Sequence, residues 1–226
     1  SAGGIGCGFG QSGWIRYHQS RNPCGDLGKH RDGTFCTGRI SVRGKTLTMT
    51  LLKTNPAQLS DIPAVMRLIN RAYRSKEGVQ GWTNEGHLLE GDRTDPDHLK
   101  ELVEAPNSQI LLCYSSNDEL IGSVHLIMND DRLYFGMLAV DPLHQSKGVG
   151  RYLLQAAKEL ALTNGFHQIK LTVLSTRQEL IDWYIRSGFT VVQENLPFPN
   201  TERFGKPKMP LLLVEMEWKS SSATGD

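Results

Sequence analysis

Residues 137–151 read MLAVDPLHQSKGVGR, and the rest of the chain is most easily interpreted from this stretch. Its first four residues are apolar and predict a strand, which Asp141-Pro142 ends because proline has no N–H to donate to a sheet. Gln145-x-x-Gly148-x-Gly150 then opens a run with apolar residues at helical spacing. The first N–H groups of a helix lack internal partners, and the helix dipole favours negative charge there. The stretch therefore predicts an anion site at a strand-to-helix turn.

The glycine-containing motifs at 145–150 and 8–13 also fit other interpretations. Taken alone, residues 145–150 also fit an ordinary glycine-rich turn without a ligand, whereas a Walker A site is excluded because Gly-Lys-Ser/Thr is missing. Residues 8–13, GFGQSG, match the dinucleotide pattern G-x-G-x-x-G. No strand pattern precedes them and no helix pattern follows, so we interpret this second match as chance.

Charge and composition limit the function classes. The 226 residues carry a net charge of +1, which gives no case for a nucleic-acid partner. Residues 1–48 hold seven Lys/Arg and two Asp/Glu, and the remainder holds 18 and 22, so the remainder is mildly acidic and suits a cationic amine substrate. There is no apolar run of about 18 residues, so no membrane partner is expected.

The cysteines indicate neither a disulfide framework nor a metal centre. Cys7, Cys24, Cys36 and Cys113 are irregularly spaced and contain no C-x-x-C pair. A site formed by Cys24, His30 and Cys36 is conceivable, but no metal is expected. A reducing, cytoplasmic location fits these cysteines best.

Three segments are expected along the chain. Residues 1–46 are rich in glycine and lack periodicity, which predicts a disordered or non-native tail. An organelle transit peptide is an alternative, because this segment is basic and poor in acidic residues. Residues 47–219 are expected to form one domain, followed by a polar tail at 220–226.

Hydrophobic periodicity predicts the order β-α-α-β-β-β-α-β-α-β-β, an α/β class with a mixed sheet and helices on its faces. The first strand is expected at 47–53 and is expected to end at Asn55-Pro56. Short polar turns after residues 114 and 128 predict an antiparallel meander. The segment 195–210 holds three prolines and is expected to be a long loop.

A second motif identifies the anion. Residues 183–189 read WYIRSGF, and together with the Gln145–Gly150 loop they resemble the GNAT superfamily of acetyl-CoA-dependent N-acetyltransferases. That family pairs a Q/R-x-x-G-x-G/A loop after its fourth strand with a Y-x-x-x-G-F run. The resemblance covers roughly residues 49–218. It implies a mostly antiparallel sheet of about six or seven strands flanked by about four helices.

The resemblance also implies roles for individual residues. Tyr184 occupies the usual position of the general acid that protonates the leaving thiolate. The strand before the loop should splay from its neighbour at a bulge and offer its backbone to the pantetheine arm of the cofactor. Arg177 stands where many members have Asn, so it either binds a coenzyme A phosphate or pairs with Glu179. The implied cofactor-binding residues are Met137, Leu138, Ala139, Val140, Gln145, Ser146, Lys147, Gly148, Val149, Gly150, Arg151 and Arg177.

The acceptor side is predicted from a likeness to a subgroup of the family. Residues 81–93, GWTNEGHLLEGDR, and residues 203–208, RFGKPK, resemble segments of members that carry W-T-x-E and G-x-R. They predict acceptor contacts from Trp82, Glu85 and Phe204. Glu85 is the first candidate for the general base, and His125 is the second.

The implied activity is direct acetyl transfer from acetyl-CoA to a primary amine of a small molecule. Cys113 lies inside a predicted strand with nothing marking it as a nucleophile, so no covalent acyl-enzyme is expected. A peptide or protein amine is the alternative acceptor, and an acyl-CoA-binding module without turnover is the alternative class. A homodimer is consistent with the resemblance.

Overall fold

The computed structural model describes residues 41–42, 45–46, 52–75, 82–129, 131–199, 203 and 205–220. The chain divides into two units, residues 1–51 and residues 52–226. In the first unit, strands β1 (Ser41–Val42) and β2 (Lys45–Thr46) pair antiparallel. No helix in the described part of the chain is both long and apolar enough to cross a membrane.

The second unit alternates strands and helices. Its helices are α1 (Ile62–Arg74), α2 (Pro96–Glu104), α3 (Val149–Thr163) and α4 (Gln178–Arg186). Its strands are β3 (Lys53–Pro56), β4 (Leu89–Glu90), β5 (Ser108–Tyr114), β6 (Leu120–Asn129), β7 (Arg132–Val140), β8 (Gln168–Leu174), β9 (Thr190–Pro197), β10 (Lys206–Pro207) and β11 (Leu212–Lys219).

Seven of these strands form one sheet in the order β3-β5-β6-β7-β8-β11-β9. Every neighbouring pair is antiparallel except β7 and β8, which are parallel and are connected through α3. Strands β4 and β10 pair separately and antiparallel. The mixed, mostly antiparallel sheet with four α-helices among the described residues confirms the predicted fold class.

Alternation along the strands divides the core into two layers. In β5, Leu111 and Cys113 belong to the cluster that contains the apolar residues of α3 and α4. Ile110 and Leu112 belong to the cluster that contains those of α1 and α2. Because successive side chains of a strand point to opposite faces, the two helix pairs cover opposite faces of the sheet.

A bulge in β7 interrupts this alternation. Ser123 pairs with Ala139, whereas His125 pairs with Gly136, so two residues of β7 face one residue of β6. Met137 has a φ of +48° at this point, a conformation that few non-glycine residues adopt. The extra residue moves Met137 to the α1/α2 face and Leu138 to the α3/α4 face, the reverse of what strict alternation from Phe135 would give.

Two boundaries predicted from the sequence are wrong. Strand β3 begins at Lys53 and ends at Pro56, so Asn55 and Pro56 belong to the strand instead of breaking it. It is an edge strand, where a proline without an N–H is tolerated. Strand β9 continues to Pro197, and β10 lies within the segment predicted to be a single loop. The remainder of the predicted strand at 47–51 and the glycine motif at 8–13 lie outside the described residues.

Candidate active site

The first component of the site is the gap where β7 and β8 separate. The two strands pair only at Leu133–Ile169 and Tyr134–Lys170, although each continues for several residues beyond this point. The separation opens a cavity of about 350 Å³, which we name the strand-gap cavity. Its walls include Phe135, Gly136, Met137 and Leu138 from β7 and Thr172, Val173 and Leu174 from β8.

The second component lies at the start of α3. A cavity of about 440 Å³, the helix-start cavity, is bounded by residues 145–151, by Val140 at the end of β7 and by Trp183. Gly148 caps the helix with a φ of +87°, and the first helical hydrogen bond runs from the Tyr152 N–H to the Gly148 carbonyl over 2.9 Å. The N–H groups of the first turn therefore have no partner within the helix. The exposed Lys147 and Arg151 add positive charge, so this cavity can hold a phosphate.

The two cavities meet at the bulge of β7. Thr83, Leu138 and Leu180 line both of them. The Tyr73 hydroxyl donates a 3.0 Å hydrogen bond to the Leu138 carbonyl and so orients the backbone at this junction. A molecule that extends from the helix start along residues 137–140 would bring its far end into contact with the strand-gap cavity.

Glu85 is a carboxylate that lines the strand-gap cavity, two residues along the chain from Thr83 at the junction. Its N–H donates to the Tyr73 carbonyl over 2.8 Å, and its Oε2 lies 3.4 Å from Arg74 Nη1. Burial raises the pKa of Glu85 above its ordinary value, and the guanidiniums of Arg74, Arg93 and Arg177 counteract only part of that shift. A carboxylate with a raised pKa is better matched to accepting a proton near neutral pH.

His125 also lines the strand-gap cavity, but it is a weak base. Burial, followed by the charges of His98 and Arg93, lowers the pKa of His125 to about 4. Its Nε2 lies 2.8 Å from Ser108 Oγ. Burial likewise lowers the pKa of His98, whose Nδ1 lies 3.1 Å from Thr94 Oγ1. Both imidazoles are therefore neutral at physiological pH.

Tyr184 is a buried aromatic residue that also faces the strand-gap cavity. It makes edge contacts with Phe135, Trp183 and Phe189 at centroid distances of 6.3, 4.8 and 5.5 Å. Burial raises the pKa of Tyr184 well above its ordinary value, so the phenol stays protonated. None of the residues that the structure describes hydrogen-bonds to its hydroxyl, which leaves the proton available to a ligand in the cavity.

Comparison with known proteins agrees with this geometry. The chain matches the acetyltransferase (GNAT) family over residues 65–189. It belongs to this family. This family is described as one of acetyltransferases, and the two cavities lie along the end of β7 and the start of α3.

Relatives are distant. The uncharacterized protein YxbD of Bacillus subtilis (strain 168) is 24% identical over 98 residues, which are 43% of this chain and 60% of that protein. The match thus spans less than two thirds of the length of this curated relative.

Solved structures show the same fold at low identity. Spermidine N-acetyltransferase of Vibrio cholerae, in complex with CoA and spermine, superposes with a TM-score of 0.56 at 21% identity, over 77% of this chain and 98% of that one. The ribosomal-protein-S18-alanine N-acetyltransferase of Escherichia coli gives a TM-score of 0.57 at 14% identity, over 74% of this chain and 93% of that one.

Arg177 of this GNAT domain contacts a loop rather than the helix-start cavity. Its buried guanidinium donates to the backbone carbonyls of Trp82 and, over 3.5 Å, Asn84, and its Nε lies 2.6 Å from Glu179 Oε1. The pairing with Glu179 is confirmed. Gln145 holds the same loop, because its Oε1 accepts from the Trp82 N–H while its Nε2 donates to the Val140 carbonyl.

The structure distributes the predicted acceptor residues between the two cavities. Glu85 and His125 line the strand-gap cavity, whereas the half-exposed Trp82 lines the helix-start cavity. Phe204 lies outside the described residues. The Ala139 side chain is fully buried under α1 and α2, so that residue can offer only its backbone.

Two residues of the site were not singled out from the sequence. Tyr73 is buried on α1, and Arg93 lies with its guanidinium carbon 5.4 Å from the centre of the Tyr73 ring. In the sequence, the position of Tyr73 in the helical periodicity indicated only that it would be buried, and not that it belongs to the site. Arg93 had the G-x-R likeness, which did not distinguish it from its neighbours.

Proposed function

We propose that this GNAT domain transfers the acetyl group of acetyl-CoA directly to a primary amine of a small molecule. The observation that carries the proposal is the meeting of the two cavities at Leu138. It would let a cofactor bound at the start of α3 deliver its thioester to an amine in the strand-gap cavity. We assign the activity to residues 47–219.

The cofactor is proposed to lie along the end of β7 and the start of α3. The N–H groups of the first turn of α3, with Lys147 and Arg151, bind the pyrophosphate. Beyond Tyr134 the β8-facing edge of β7 makes no ladder bonds to β8, so its backbone groups are available to the pantetheine arm.

The chemical step needs one base and one acid. The acceptor enters as an ammonium ion and first loses one proton through Glu85 to solvent. The neutral amine attacks the thioester carbonyl with its lone pair, so that a C–N bond forms, the carbonyl oxygen becomes an oxyanion and the nitrogen gives a second proton to Glu85. The oxyanion then collapses, the C–S bond breaks, and the thiolate takes its proton from the Tyr184 hydroxyl. The proton held by Glu85 returns through solvent to the Tyr184 phenolate, and acetamide and free thiol leave.

A small acceptor is favoured by the size of the strand-gap cavity, about 350 Å³. Small-molecule sites typically occupy roughly 300–1,000 Å³. A direct route is favoured by Cys113, the one free cysteine of the described residues. It is buried in β5, and burial raises the pKa of its thiol to about 12, so the thiolate needed for an acyl-enzyme is suppressed.

The test is thiol release from acetyl-CoA in the presence of a panel of primary amines. We expect release that depends on the amine, and we expect Tyr184→Phe to lower kcat by at least ten-fold without changing the Kd for acetyl-CoA. Tyr114→Phe, a partly buried tyrosine of β5 outside both cavities, is the control. Tight acetyl-CoA binding with no turnover on any amine would instead identify an acyl-CoA-binding module.

A further inference from the structure

The charges around the strand-gap cavity are unlike those expected for a polycationic acceptor. Among the described lining residues the carboxylate is that of Glu85 and the guanidinium is that of Arg93. Arg74 pairs with Glu85 at 3.4 Å, and the charge of Arg177 also acts on Glu85. Three guanidiniums therefore act on Glu85, and one of them, Arg177, is also paired with Glu179. These groups together keep a positive balance, although the chain beyond residue 48 carries an acidic one.

The histidines of the cavity do not reverse this balance. His98 and His125 are neutral at physiological pH, since burial and the nearby guanidiniums hold their pKa values down. A neutral imidazole neither attracts nor repels an anion by charge. The local field therefore favours a ligand that brings negative charge to the Arg93 side of the cavity.

The position of Arg93 relates that charge to the reacting centre. Its guanidinium stands over the Tyr73 ring, and the hydroxyl of the same ring bonds to the Leu138 carbonyl at the junction of the cavities. Arg93 is thus one tyrosine ring away from the backbone beside which the thioester would lie. An acceptor whose anionic group is held by Arg93 would extend along this ring to bring its amine to the junction.

The remaining walls of the strand-gap cavity favour an acceptor with an apolar side chain. The cavity is lined by aliphatic and aromatic side chains from several elements, among them Leu89, Leu102, Ile127, Leu174, Phe198 and Leu213. These side chains offer no partner to additional ammonium groups, and an unpaired buried charge is costly. A long polyamine would have to bury such groups here.

We infer that the acceptor is an amino-acid-like molecule with an apolar side chain, whose carboxylate is bound by Arg93 while its amine reaches the junction at Leu138. This inference deepens the proposed acetyl transfer and rests on it. A planar guanidinium binds a carboxylate through two parallel hydrogen bonds, so the carboxylate also fixes the orientation of the amine.

The experiment compares acceptors that differ only by the carboxylate. L-phenylalanine is paired with 2-phenylethylamine, L-leucine with 3-methylbutylamine, and spermidine serves as the polycation. We expect kcat/KM from thiol release to be at least ten-fold higher for the carboxylate-bearing member of each pair, as a charge-assisted hydrogen bond predicts. Equal or better turnover of the decarboxylated amines, or of spermidine, would overturn the inference while leaving the proposed function intact.

Variants of Arg93 assign the preference to this side chain. Arg93→Gln should remove most of the preference by raising KM for the amino acids, and Arg93→Lys should restore part of it. The Kd for acetyl-CoA should be unchanged in both, which reports an intact fold. Arg67→Gln, on the exposed face of α1, is the matched control and should retain the full preference. A preference that survives Arg93→Gln would overturn the role of Arg93.

A binding measurement separates this inference from the chemistry. With free CoA present, calorimetry should show N-acetyl-L-phenylalanine binding at least ten-fold more tightly than N-acetyl-2-phenylethylamine, and Arg93→Gln should abolish the difference. If no amine is acetylated but this difference is found, the proposed function fails and the carboxylate site stands. If the two ligands bind equally, the carboxylate site fails whatever the turnover.

Discussion

Gly148 is the residue whose backbone most directly shapes the cofactor side of the site. Its φ of +87° disfavours any side chain, yet a Cβ added there would meet no atom within 4 Å. Gly148→Ala should therefore cost only about 1 kcal/mol of folding free energy, from the positive φ. Its methyl group would stand where the pyrophosphate approaches, so we expect the Kd for acetyl-CoA to rise at least ten-fold in titration calorimetry.

Gly165 provides the matched control, because it has a φ of +80° and equally open surroundings at the far end of α3. Gly165→Ala should lower thermal stability by a similar amount and leave acetyl-CoA binding unchanged. If both variants bind acetyl-CoA as the wild type does, the helix start does not hold the pyrophosphate.

Glu85 and His125 can be distinguished as bases by the pH at which turnover is lost. A base works only when deprotonated, so kcat should fall as pH drops through its folded pKa. Burial raises that pKa above 4.5 for Glu85, whereas it lowers the pKa of His125 to about 4. With Glu85 as the base, turnover at saturating amine should fall as the pH drops, and this fall should occur at a higher pH than the pKa of an ordinary glutamate.

Substitution of Glu85 and substitution of His125 should affect turnover differently. Glu85→Gln should lower kcat by about a hundred-fold or more, the usual contribution of a general base. His125→Gln should leave the acid limb of the profile in place. A limb near pH 4 that disappears in His125→Gln would transfer the role of base to the histidine.

At the scale of elements, the start of α4 holds the loop that carries Trp82 and Glu85. Arg177→Gln should release the loop carbonyls from the guanidinium, so amide hydrogen exchange should rise at residues 82–86 and KM for the amine should increase several-fold. Glu179→Gln keeps the loop contacts and is the control. Weaker acetyl-CoA binding with unchanged exchange would instead give Arg177 the phosphate role.

At the scale of the whole molecule, the adjoining cavities imply that amine and acetyl-CoA are bound together. Initial rates at varied concentrations of both should give intersecting double-reciprocal lines, as a ternary complex requires. Cys113→Ala should keep this pattern and most of the turnover, since its thiol is buried in the sheet. Parallel lines, or loss of activity in Cys113→Ala at unchanged stability, would indicate an acyl-enzyme.

The sequence by itself determined most of the elements and the turn that opens α3, because both depend on local patterns. Apolar spacing predicted the helices and most strands, and the glycines with Asp141-Pro142 marked the turn before α3. Edge position in the sheet is not local, which is why Asn55-Pro56 was misinterpreted as a strand break although both residues belong to β3. The motif around Tyr184 then indicated the GNAT family.

Only the tertiary structure decided which face each β7 residue occupies and which charges meet in the strand-gap cavity. The bulge at Met137 depends on pairing with β6, and strict alternation would have placed the following side chains on the wrong face. Glu85 and Arg93 lie in one segment and Arg177 lies at the start of α4, and their effects on one another depend on burial and distance. Neither the face of each β7 residue nor the charges that meet in the cavity can be read from spacing along the chain. The acidic balance of the sequence therefore pointed to a cationic acceptor, whereas the cavity favours an acceptor that carries a carboxylate.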